Sequence, residues 1–107
     1  MRDGTPIVKS VSEIVRALCL DYPRRAEAIS LHSFSGRIEN EFKYYNFKIY
    51  DAAAEIVGES LAEKFICEIC ERAGYARSRV NLMSERSYKA YKHETVENIA
   101  RRLYLIQ

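Results

Sequence analysis

An all-α fold is what this sequence predicts, on three observations. Apolar residues recur at helical spacing along most of the chain. No stretch alternates apolar and polar residues as a half-buried strand would. Serine caps, prolines and glycines fall between the periodic segments. With 107 residues the chain is of single-domain size and can bury one modest core. The expectation is one helical domain over residues 1–107, a small bundle of about five to six helices.

The elements follow in order. Ser10 and Glu13 have the spacing of a capping box, so a short helix is expected from there to about Leu20, burying Val11, Ile14 or Val15, and Leu18. Asp21-Tyr22-Pro23 reads as a stop and restart, with Pro23 in a first turn where its missing N–H costs nothing, and a second short helix reaches about Leu31. Residues 33–36 read as a loop. The clearest periodicity is next: Ile38, Phe42, Tyr45, Ile49, Ala52 and Ile56 recur at alternating steps of four and three, closed by Gly58 in a C-cap position. Such a narrow apolar seam packs on a helix of the same chain or on a second copy of it, and a homodimer is the alternative to an internal core. Tyr44, Tyr45 and Phe47 have a base-stacking chemistry, but their helical spacing assigns them to the core or its margin. Ser60 and Glu63 repeat the capping-box spacing and open a helix closed by Gly74, with Leu61, Phe65, Ile66, Ile69 and Ala73 on its buried side. Ser84 caps the last helix, which runs to about Leu105 with Tyr88, Tyr91, Thr95 or Val96, Ile99 and Leu103 on one face.

Composition narrows the function classes. Charged residues make up 30% and apolar residues 48%, which favours a folded domain over a disordered one. No apolar run is long enough to span a membrane, and the first ten residues lack the apolar core of a signal peptide, so a cytoplasmic protein is expected. Three cysteines, an odd number, do not make a disulfide framework. Cys67 and Cys70 form a CxxC, yet it falls in mid-helix beside Ile66 and Ile69, with only Cys19 and two histidines elsewhere as further ligands. Small apolar packing is the expected role, with no metal site. His32 lies in a loop-like stretch with no carboxylate or nucleophile recurring near it, and His93 sits among lysines. No phosphate-cradling loop, nucleophile elbow or paired-acid motif occurs, so neither an enzyme nor a cofactor is expected.

The net charge of +2 hides an asymmetry: residues 1–71 sum to −3 and residues 72–107 to +5. A basic segment beside an acidic one suggests a footprint for a polyanion, or else a solvated helix face rich in Arg and Lys. From Gly74 onward the chain has the rhythm of a helix-turn-helix, roughly residues 61–107. That motif needs a helix with short polar or basic residues near its N-terminus for bases and phosphates, and an apolar opposite face. Residues 84–93 offer both. Arg86, Lys89 and Lys92 or His93 fall on one side and Tyr88 and Tyr91 on another, while Ser84 and Ser87 stand at the end where the helix dipole favours a phosphate.

The stretch GYARSRVNLMSERSYKAYKHETVENIARRL, residues 74–103, resembles the last two helices of the sigma-factor region-four type of helix-turn-helix. There a short scaffold helix precedes a Ser-x-x-Thr-type cap and a long basic recognition helix. The resemblance implies that Val80, Leu82 and Met83 are the scaffold's apolar residues and that Ser84-Glu85-Arg86-Ser87 is the cap. In place of the glycine that usually separates the two helices, Met83 runs directly into Ser84. With DYPRRAEAI and the long middle helix, the chain is similar in layout to small transcriptional regulators of bacteriophages and mobile elements. A second register stays open, in which residues 69–83 fit the older repressor-type pattern with Gly74 in the turn and Arg77, Ser78, Arg79 and Asn81 facing DNA.

Two functional expectations follow. One is a sequence-specific regulator that binds double-stranded DNA through Arg77, Ser78, Arg79, Ser84, Arg86, Ser87, Lys89, Lys92 and His93, as a homodimer or beside RNA polymerase or another regulator. The other is a helical protein-interaction module, an adaptor or antirepressor, that uses the 38–56 seam.

Overall fold

The computed structural model describes residues 8–71 and 83–106, and among them every regular element is an α-helix. The helices are α1 (Lys9–Leu20), α2 (Tyr22–Leu31), α3 (Gly36–Val57), α4 (Glu59–Glu71) and α5 (Glu85–Arg102). No described helix is long and apolar enough to cross a membrane.

At 22 residues, α3 is the axis of the bundle. It packs against α2, α4 and α5, while α1 closes the assembly by lying on α4 and α5. The main core is built from Val15 and Cys19 of α1, Ile49, Ala52 and Ala53 of α3, Ala62, Ile66 and Ile69 of α4, and Ile99 and Ala100 of α5. Alanine on α3, α4 and α5 lets the helix backbones approach closely. A second, smaller cluster stands apart from it, with Phe65 of α4 against Tyr88 of α5 and Val57, Leu61 and Met83 around them. The rings of Phe65 and Tyr88 lie 5.6 Å apart.

The turn from α1 into α2 is held by a buried cation. Arg25 is 3% exposed, and its guanidinium donates to Asn46 Oδ1 at 2.7 Å, to the Leu18 carbonyl at 2.6 Å and to Asp21 at 3.0 Å. Asn46 donates in turn to the Tyr22 carbonyl at 3.2 Å, so the buried charge is satisfied on every side and fixes α2 on α3. Asp21 is held below the ordinary carboxylate range, chiefly by its hydrogen bonds from Arg24.

Several local expectations are met and others need correction. Pro23 lies in the first turn of α2, and α3 ends at Gly58, whose φ of 87° is a conformation that residues with a Cβ adopt only under strain. Ser84 caps α5 as expected, and Ser35, read only as part of a loop, caps α3. Ser10 does not cap α1: helical backbone starts at Lys9, because the Val8 carbonyl already accepts from the Val11 and Ser12 amides. Ser60 likewise lies inside the first turn of α4, which begins at Glu59. The buried side of α1 is Val15 and Cys19, and Ile14 is 45% exposed. Gly74, Ala73, Val80 and Leu82, and with them both expected routes through the turn, lie outside the described residues.

The seam of α3 divides in two. Ile49 and Ala52 are fully buried and Ile56 is half-buried, whereas Tyr45 and Phe42 are half-buried and Ile38 is 40% exposed. The exposed end is partly covered from within the chain, by Phe34 edge-on to Phe42 and by Arg24 and Arg25 over the rings of Phe42 and Tyr45. Tyr44 and Phe47 are not core residues, being 44% and 67% exposed, because they fall beside the seam on the half of α3 that outruns the main core.

Candidate nucleic-acid interface

The candidate interface is the N-terminal half of α5. Ser84, in extended backbone, turns its hydroxyl onto the helix, where Oγ accepts from the Ser87 amide at 3.2 Å. Tyr88 then points inward, 1% exposed, and its hydroxyl donates to Glu68 Oε1 of α4 at 2.6 Å. Thr95 and Ile99 continue the same buried face. With about 100° of turn per residue, Arg86, Lys89 and His93 share the side facing away from it, and all three are exposed together with Ser84 and Glu85.

Lys92, expected on that side as the alternative to His93, does not share it. It stands one turn after Tyr88, half-buried, with its ammonium 5.7 Å from the centre of the Tyr88 ring. Burial pushes its pKa down and the nearby Glu68 carboxylate opposes that shift. Lys92 also shares a hollow with Ser12, Glu13 and Arg16 of α1. Of the two alternatives three or four residues beyond Lys89, the outward one is His93.

Among the described residues of the C-terminal segment, ion pairs engage Lys89, Arg101 and Arg102. Lys89 reaches Glu85 at 2.9 Å, and Arg101 reaches Glu97 at 3.5 Å. Arg102 bonds to Asp51 and, at 2.8 Å, to Glu55 of α3. Arg86 makes no ion pair among the described residues. The Lys89–Glu85 pair is exposed on both sides, so it is worth less than about 1 kcal/mol and yields readily to a phosphate.

Ser84, Arg86, Ser87, Lys89 and His93 are thus brought together on one end of one helix, Lys92 is turned away from them, and Arg77, Ser78, Arg79 and Asn81 lie outside the described residues. Two residues that sequence reasoning passed over hold this helix in place. Glu68 is the buried acceptor for Tyr88, and its signal was its position three residues after Phe65 and seven after Leu61, on the apolar stripe of α4. Asn98 donates to the Ala52 carbonyl at 2.9 Å and to Glu55 at 2.7 Å, and it had no sequence signal beyond helical phase. His32 also gained a partner that reading the sequence did not find: Glu39, in the first turn of α3, lies 2.9 Å from its Nδ1.

Among the described residues no three His, Cys, Asp or Glu side chains are placed to hold a metal ion. Comparison with family models, with curated proteins and with solved structures finds no match to the chain.

Proposed function

We propose that this chain is a double-stranded-DNA-binding transcriptional regulator of the phage or mobile-element kind, working in the cytoplasm and presenting the N-terminal half of α5 to the major groove. The observation that carries the reading is the two-faced character of that half-helix, with Ser84, Arg86, Lys89 and His93 outward and Tyr88 pinned inward on Glu68. A recognition helix needs that division, because the groove takes the outer face only if the inner one is held. Arg86 suits a bidentate contact to a guanine, Lys89 a phosphate, and Glu85 can accept from a cytosine amino group once Lys89 turns to the backbone.

The test is duplex binding across a salt series by the wild type and by Arg86→Ala. Binding that falls steeply with salt, with site discrimination reduced by about 1–3 kcal/mol in the variant, supports the reading. Absence of duplex binding even at low salt overturns it.

A second reading, a protein-interaction module, is favoured by one separate observation. Leu31 at the end of α2, Phe34 in the following turn, Ile38 at the start of α3 and Phe47 in its middle are 40–67% exposed. Loss of a protein partner, or of a homodimer, on Phe47→Ser with DNA binding intact would establish that the exposed apolar side of α3 has its own role.

A further inference from the structure

The three cysteines, set aside as separate packing residues by their spacing, converge on one cavity. It has a volume of about 380 Å³ and lies where α1 and α2 meet α4, with Cys19, Tyr22, Glu63, Ile66, Cys67 and Cys70 in its wall. Residues 63, 66, 67 and 70 form one stripe of α4, at helical spacings of three and four.

We propose that this cavity is a binding site for a small apolar molecule carrying one cationic amine, with the apolar body against Cys19, Ile66, Cys67 and Cys70 and the charge at Glu63. The volume falls in the range of small-molecule sites, which are apolar clefts with a few placed polar groups. Glu63 supplies the cavity's formal charge and forms no ion pair among the described residues, so a cation is the complement. Tyr22 is kept a neutral phenol by burial and by Glu63 itself, and adds a hydroxyl near the carboxylate. The thiols of Cys19 and Cys70 are neutral too. Burial pushes Cys19 up to about 12, and burial first, then Cys67, raises Cys70. Cys70 donates its proton to the Cys67 carbonyl at 2.9 Å and Cys67 donates to Glu71 at 3.1 Å. Protonated thiols are soft, polarizable walls and poor nucleophiles or metal ligands, which favours reversible packing over covalent or metal chemistry.

The site stands independently of the nucleic-acid reading, and only one consequence rests on that reading. On the side of α4 away from the cavity are Leu61, Phe65 and Glu68, the residues that hold Tyr88 of α5. Filling the cavity therefore stiffens α4, which supplies Phe65 and Glu68 to the seat of the basic half-helix.

Calorimetric titration of the whole chain with 1-naphthylmethylamine, beside its neutral isostere 1-naphthylmethanol, tests the site. The amine should bind at least about tenfold more tightly than the alcohol, Glu63→Gln should abolish that preference, and Cys67→Met, which fills the space, should weaken both. Circular dichroism of each variant checks that the helical fold persists. Equal affinity for amine and alcohol, a preference that survives in Glu63→Gln, or no binding of the amine up to about 10 mM overturns the proposal. Duplex titration with and without the amine then reads the link to α5. A chain that binds the amine and no DNA refutes the regulator and leaves the cavity site standing.

Discussion

The two halves of α5 are one continuous helix held in opposite ways. The C-terminal half enters the main core with Ile99 and Ala100, places Asn98 on the α3 backbone and ties Arg102 to Asp51 and Glu55. The N-terminal half rests on the separate Phe65–Tyr88 cluster and on the hydrogen bond from Tyr88 to Glu68. Its remaining residues are exposed or half-buried. The difference shows how a small domain can leave one side of a helix uncovered. The far half of the helix carries most of the anchoring, so the near half needs only a narrow inner strip, and its outer side is left with short, basic and hydroxyl-bearing side chains.

Breaking either half should have its own signature. The largest effect is expected from Ile99→Ala, at about 2–5 kcal/mol, because it opens a void where α1, α3, α4 and α5 meet. Denaturant unfolding measures it, and a loss under 1 kcal/mol, on the order of a surface change, would show that the main core does not depend on this half-helix. Tyr88→Phe should cost about 1–3 kcal/mol by removing the donor to buried Glu68. Hydrogen exchange should then show faster opening of residues 86–92 with residues 96–101 still protected, and uniform loss of protection would refute two separately anchored halves. Ser84→Ala should cost about 1 kcal/mol through the lost bond to the Ser87 amide, with fraying limited to the first turn in the same experiment.

The smallest changes in stability sharpen the comparison most. Lys89→Ala should shift stability by no more than about 0.5 kcal/mol while lowering the salt slope of duplex binding by about one. Lys92→Ala should leave that slope as in the wild type, since its ammonium lies over the Tyr88 ring beside Glu68. A common change in slope for the two variants would return Lys92 to the DNA surface.

The helical fold class was legible in the sequence because its signals are local. The recurrence from Ile38 to Ile56, the glycine after Val57 and the serine before Glu85 each act within a turn or two of themselves. The buried side of α5 was legible at Tyr88, Thr95 and Ile99 for the same reason, and misjudged at Tyr91, which is 39% exposed. Capping boxes at Ser10 and Ser60 failed because an upstream carbonyl, of Val8 or Gly58, had already accepted from the first turn. The charge asymmetry did not show that Arg102 of the basic segment pairs across the bundle with Asp51 and Glu55 of the acidic one.

By itself, then, the sequence determined the helical segments, the cap at Ser84, and a basic, hydroxyl-rich start to α5. Tertiary structure decided which of those charges face outward. Lys92 and His93 are neighbours in the chain, yet one lies over the Tyr88 ring and the other is exposed, because α4 and α1 pack on one side of α5 and not on the other. It also brought Cys19 to Cys67 and Cys70, and Glu68 to Tyr88, since contacts between residues twenty or more apart follow from how helices dock and not from the phase of any one of them.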